Sequence, residues 1–165
     1  MGVGFSAGYG ETSNTYESLP SNTGLAVGQC KDSPNKYQSR MLVRNNPSGS
    51  TIAAGAALKW TTAQGPGTTG QGNYQVDATT ATTDMCVGCN DAAGGTIAAG
   101  SYFWMTFKGI AAPLVLNGAG QGVPLGPSGT AGVLESIAAT DRGSNIASTV
   151  AQSGAGNTAT ACWFA

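Results

Sequence analysis

The sequence predicts an all-β fold: a small β-barrel or β-sandwich with an extended N-terminal arm and long Gly/Pro loops. Three observations predict it. Short apolar-alternating runs filled with Val, Ile, Thr and aromatic residues recur from Gly24 onward. Gly, Pro, Asn, Ser and Thr separate these runs at close spacing, as turns do. Helix signals are weak, and the one rival stretch, Leu134–Gln152, carries Gly143 in its middle. A chain of 165 residues is one domain's length.

Residues 1–23 are rich in Gly, Ser, Thr and Asn, and their large side chains Phe5, Tyr9, Tyr16 and Leu19 follow neither strand nor helix period. Flexible tails are usually poor in aromatics. This segment therefore reads as an arm that a partner surface orders, with Phe5, Tyr9 and Tyr16 as its candidate anchors. Residues 24–165 form the body.

Its expected strands are Leu25–Cys30, Arg40–Arg44, Ala57–Thr62, Asn73–Ala78, Met85–Cys89, Ser101–Lys108, Pro113–Leu116, Val133–Ala138 and Thr158–Phe164. In Tyr102–Phe107 two kinds of apolar residue alternate, so both faces should be covered and this run should be the central strand. The apolar end Cys162-Trp163-Phe164-Ala165 should be tied down, in its own sheet or against another copy. Asn117–Gly132, the longest Gly/Pro stretch, lies between apolar runs and reads as a loop inside the domain. The pentapeptide Thr-Ile-Ala-Ala-Gly occurs at 51–55 and again at 96–100, each time before an aromatic-bearing strand. It marks two similar strand–turn–strand corners.

Composition excludes several functions. There is no histidine, so no Ser-His-Asp triad, Cys-His pair or imidazole ligand can form. A net charge of −1 with 9% charged residues argues against a nucleic-acid partner held by phosphate contacts. No apolar run approaches the roughly 18 residues that cross a bilayer, so no membrane partner is expected. The start lacks the basic and apolar regions of a signal peptide. Much of the 41% hydrophobic fraction is alanine, which buries little area, so the core should be thin and helped by neighbouring copies.

Charge is unevenly placed. Residues 31–59 hold Lys31, Lys36, Arg40, Arg44 and Lys59 against the single acid Asp32. Residues 60–107 hold Asp77, Asp84 and Asp91 and only acids. The basic stretch could guard sheet edges or touch a partner; Lys36, Arg40 and Arg44 are candidate polar contacts.

Three constellations are candidates for chemistry. Cys86-Val-Gly-Cys89, with Cys30 and Cys162, could be idle thiols, one or two disulfides, or a four-thiolate metal site. Residues three apart on a strand point to opposite faces, and no second C-x-x-C is present, so idle thiols are favoured. Gly118-Ala-Gly-Gln-Gly122 lacks the strand–turn–helix context of a phosphate loop, because Pro124 and Pro127 follow. The carboxylates Glu11, Glu17, Asp32, Asp77, Asp84, Asp91, Glu135 and Asp141 are scattered. Nothing calls for a cofactor or catalysis. A second class of function is a glycan-binding or adhesion module, in which Trp60 or Trp163 would be a sugar-stacking platform.

From Gly24 to Ala165 the texture resembles the capsid decoration, or cement, proteins of tailed bacteriophages. The likeness lies in the Thr-Ile-Ala-Ala-Gly turns before strands, the Phe107-Lys-Gly-Ile110 strand running into Pro113-Leu-Val-Leu116, the Gly/Pro loop 117–130 and Gly132-Val-Leu-Glu135. The resemblance implies a virion protein made in the host cytoplasm that sits on the outer capsid surface and stabilises the shell. It implies a homo-oligomer, commonly a trimer, with the major capsid protein as partner. Residues 1–23 would be the arm that reaches over neighbouring subunits. The candidate capsid and inter-subunit contacts are then Phe5, Tyr9, Tyr16, Lys36, Arg40, Arg44, Trp163 and Phe164.

Overall fold

The computed structural model describes residues 15–16, 27–33, 37–61, 74–91, 94–116, 118–137, 147–150, 154 and 156–164. All regular structure among them is β. The strands are β1 (Thr15–Tyr16), β2 (Cys30–Ser33), β3 (Gln38–Asn45), β4 (Ala57–Trp60), β5 (Gln75–Ala78), β6 (Cys86–Cys89) and β7 (Tyr102–Ala111). They continue as β8 (Leu114–Val115), β9 (Pro124–Pro127), β10 (Leu134–Ser136), β11 (Ala147–Thr149), β12 (Thr158–Ala159) and β13 (Cys162–Phe164).

Five strands close into a barrel in the cyclic order β3–β7–β6–β4–β5. Four of its pairings are antiparallel, and β3–β5 is parallel. Its filling is the apolar set Val43, Ile52, Ala56, Leu58, Val76, Ile97, Phe103 and Met105, all buried. Alternation on β7 puts Phe103 and Met105 inside; Trp104 and Thr106, on the other face, are buried too. The expectation that both faces of this strand are covered holds.

The remaining strands close a second ring of pairings that uses the end of β7. Cys162–Phe164 pairs with Gly109–Ala111, and Thr158–Ala159 pairs with Leu114–Val115 in the same unbroken register. The amide of Thr160 donates to the Pro113 carbonyl between the two pieces. So β7–β8 is one bent strand and β12–β13 another. The ring continues β13–β11–β9–β10 and returns through β10–β8. Its first and third strands are again the parallel pair, and the rest are antiparallel. The two rings thus share β7 and repeat one topology. The second has its own core of Ala111, Val115, Ala119, Leu125, Leu134, Ala147, Cys162 and Phe164, onto which Ala57, Cys86 and Cys89 of the first barrel also pack.

Several expected boundaries change. The first body strand starts at Cys30, where the sequence reading ended it, because Val27–Gly28 form a turn with Gly28 at φ +83°. Tyr74 carbons lie 2.3–2.9 Å from where a Gly28 side chain would begin, so only glycine fits there. The Gly/Pro loop 117–132 holds a real strand, β9. Pro124 and Pro127 stand at its ends and lack amides, but the Pro124 carbonyl still accepts from the Ile137 amide. Leu125 between them is fully buried. The rival helix over 134–152 is not formed by its described parts, Leu134–Ser136 and Ala147–Thr149, which are strands. The expected run Thr158–Phe164 is two strands with a bend between them.

Candidate functional site

Two positive-φ residues meet where β3 begins and β7 approaches its end. Tyr37, the residue before β3, has φ +49°, the one non-glycine residue in the left-handed region among those described. Gly109 on β7, the register partner of the next residue Gln38, has φ +90°. A methyl group on Gly109 would fall 1.6 Å from the Tyr37 carbonyl oxygen. The tight crossing therefore requires glycine on one strand and holds the tyrosine in a costly conformation on the other. Beside it the β3–β7 register slips between Ser39 and Arg40, leaving Phe107 as the extra residue of a bulge.

The crossing forms one wall of an open cleft of about 430 Å³ lined by Tyr37, Gln38, Asp91, Ile110, Ala111, Ala112 and Ala161. Tyr37 is 74% exposed at its mouth. Its polar floor is buried and organised. The Gln38 side-chain nitrogen donates to the Asp91 carboxylate at 3.1 Å and to the Ile110 carbonyl. The Gln38 side-chain oxygen accepts from Arg40 Nε at 3.1 Å and from Arg40 Nη2 at 2.7 Å. Arg40 Nη2 lies 3.8 Å from Asp91 Oδ2. The charged pair is thus bridged by a neutral amide, which supplies the hydrogen bonds that buried charges need.

A second feature adjoins the cleft. Ile110 pairs directly with Trp163 across β7–β13, and both face outward, 38% and 45% exposed. Val150, also exposed, follows on β11.

The sequence-predicted residues separate as follows. Phe5, Tyr9 and Lys36 lie outside the described residues. Tyr16 is placed by its backbone: β1 adds antiparallel to β7, Tyr16 opposite Tyr102 and Thr15 opposite Phe103. Since β3 pairs with Tyr102 and Phe103 on the other side, β1 covers the remaining edge there. Arg40 is 8% exposed and lies behind the cleft lining, its guanidinium engaged by Gln38 and Asp91 within the chain. Arg44 lies over the Tyr102 ring at 5.3 Å and donates to the Gly100 carbonyl at 2.9 Å. Phe164 is fully buried in the second core, while its neighbour Trp163 is at the surface. Trp60 is half-buried and meets Tyr74 edge-on at 6.0 Å. The uneven charges pair internally, Arg40 with Asp91 and Lys59 with Asp84, the latter at 3.0 Å.

All four cysteines are free thiols. Cys86 and Cys89 share one core despite their spacing, because β6 carries a bulge: Leu58 pairs with Gly88 and Lys59 with Cys86. The extra residue, Val87, resets the alternation that would have put the thiols on opposite faces. Burial pushes the Cys86 thiol up to about 11 and Cys162 up to about 12. Cys89 is raised well above its ordinary value by burial and then by the nearby Asp91 charge. These thiols stay protonated near neutrality, the opposite of a reactive cysteine. Cys30 is exposed on β2. Among the described residues no three His, Cys, Asp or Glu side chains gather as metal ligands.

Sequence reasoning missed Tyr37, Gln38 and Asp91 as a group. A signal was present only for Tyr37, an aromatic in a polar connection after Pro34-Asn35. No protein-family model, curated protein or solved structure matches this chain.

Proposed function

We propose that this chain is a structural protein of a virion: it binds the outer capsid surface as a homo-oligomer and stabilises the shell, with the major capsid protein as its partner. The observation that supports this most is β1. The N-terminal segment enters the described fold as a strand added to the edge of β7, through main-chain pairing that asks little of side-chain identity. An arm that works by strand addition can clasp neighbouring copies and shell subunits alike. A closed barrel and a second ring of strand pairings that share β7 give it a body to pull against. Sparse surface charge suits a protein covered on several sides. Individually modest contacts then hold firmly because symmetry repeats them.

The test is co-sedimentation of the purified chain with empty capsids, with and without residues 1–20. Among the described residues this removes one short strand with two residue pairs, Thr15–Phe103 and Tyr16–Tyr102, so the body's β-sheet circular dichroism and melting temperature should hold while attachment drops. Full attachment by the shortened chain would refute the arm's role, and no attachment by either chain would refute the shell reading.

A further inference from the structure

We infer that the cleft under Tyr37 seats Phe5 of the chain's own N-terminal segment, a latch that holds this segment against the body before a partner engages it. The inference concerns the unattached chain and does not rest on the shell reading. Its ground is a cleft whose polar groups are already engaged. The Gln38 side chain donates to Asp91 and Ile110 and accepts twice from Arg40. Asp91 is held by Gln38, by Arg40 and by a further interaction. What the cleft offers an entrant is therefore Ile110, Ala111, Ala112, Ala161 and the Tyr37 ring. Among the described residues five large apolar side chains are exposed, and three of them, Tyr37, Ile110 and Trp163, line or adjoin this cleft. Covering such a patch is favourable in proportion to the apolar area removed from water.

Strand register and reach name the occupant. β1 runs antiparallel to β7, with Thr15 opposite Phe103 and Tyr16 opposite Tyr102. Residues before Thr15 therefore head toward the far end of β7, where Ile110 and Ala111 line the cleft. From Phe103 to Ile110 the strand advances seven residues, about 23 Å. Tyr9, six residues before Thr15, reaches at most about 22 Å and falls short. Phe5, ten residues before it, reaches up to about 36 Å, enough to pass over the intervening strand ends. A longer β1 has no path along this edge of β7, because β6 takes it at Thr106 and β13 from Gly109. The segment thus docks by a side chain. Residues 1–10 hold no charged side chain, and Gly4 and Ser6 flank Phe5, so its ring stands out from a thin chain. That suits an uncharged, apolar cleft of about 430 Å³. A short tether supplies an effective concentration of roughly millimolar, so one seated ring closes the latch only a few-fold over open. So shallow a balance adds little to the melting temperature and lets a competing partner surface draw the segment away.

The test is paramagnetic relaxation NMR on the full chain carrying Cys30→Ser and a nitroxide attached at Ser6→Cys, the other three thiols being buried and protonated. Relative to the reduced label, the amide signals of Ile110, Ala112 and Ala161 should lose more than half their intensity. Phe5→Ala, a change outside the body, should restore most of it. Ala112→Phe fills the cleft and should restore it too, with thermal melting as the check on its fold. A mixture of isotope-labelled chain without nitroxide and unlabelled chain with it should show no broadening. The inference fails if the three signals keep their intensity, or if Phe5→Ala or a folded Ala112→Phe variant leaves the broadening in place. It also fails if the mixture broadens, which would put the segment on a second copy.

Discussion

Asn45 and Asn90 occupy equivalent places 45 residues apart, and each carboxamide clamps both its own loop and the other's. Asn45 Nδ2 donates to Ser50 at 3.0 Å and across to Ala98 at 3.1 Å. Asn90 Nδ2 donates to Gly95 at 2.7 Å and across to Ala53 at 2.9 Å. The acceptors are themselves 45 positions apart, as are Ile52 and Ile97, which exchange two backbone hydrogen bonds at 2.9 Å. The repeated Thr-Ile-Ala-Ala-Gly is the visible part of a longer pattern that starts at these asparagines. It makes a local two-fold clasp at one end of the first barrel, with Ile52 and Ile97 plugging its core.

Cutting either clasp should be costly. Asn45→Ala and Asn90→Ala orphan buried carbonyls, at about 1–3 kcal/mol per group. Asn45→Asp should be worse than Asn45→Ala, because a carboxylate would face carbonyl oxygens. The two alanine changes should not add, since both release the same pair of loops. Urea denaturation of the two single variants and the double variant measures the coupling.

Adjacent residues at the C-terminal end should behave oppositely. Phe164→Ala empties the second core and should cost about 3–5 kcal/mol. Trp163→Ala, at a site 45% exposed, should cost much less. Equal losses in melting temperature would contradict the assignment of the second core.

Asp91→Ala leaves Arg40 buried beside an amide with no compensating charge, for a loss of about 3–5 kcal/mol. Arg40→Met combined with Asp91→Ala should recover part of that loss. A double variant less stable than Asp91→Ala alone would show that the pair does not act as a unit.

Thiol chemistry should divide the cysteines one against three. Native protein at neutral pH should give one fast thiol, Cys30, with Ellman's reagent, and four after denaturation. Stability should also fall in alkali. Cys86, Cys89 and Cys162 have raised folded values, so above pH 9 the unfolded chain loses protons that the folded chain keeps. The stabilisation is complete below about pH 9 and declines up to about pH 11–12. Replacing all three with alanine should flatten that decline.

The fold class was legible because period-two patterning and turn residues are local signals. β7 was legible as the central strand because Tyr102–Phe107 is apolar on both faces. What stayed hidden depends on pairing. The bulges at Phe107 and Val87 arise from registers that no single strand records. The one at Val87 brought Cys86 and Cys89 onto one side. Arg40 looked like a surface contact because its acid, Asp91, lies 51 residues away in sequence. β9 was hidden by prolines that normally argue against a strand, yet stand at its ends where an amide can be spared. The Tyr37 cleft needed four segments, at the start of β3, after β6, at the end of β7 and before β13, to meet.

Electron cryomicroscopy of empty capsids incubated with the full chain tests the central claim most directly. The account predicts copies at symmetric positions on the outer surface, each sending its N-terminal segment over an adjacent subunit. Bare capsids, or copies bound with that segment pointing away from every neighbour, would contradict it.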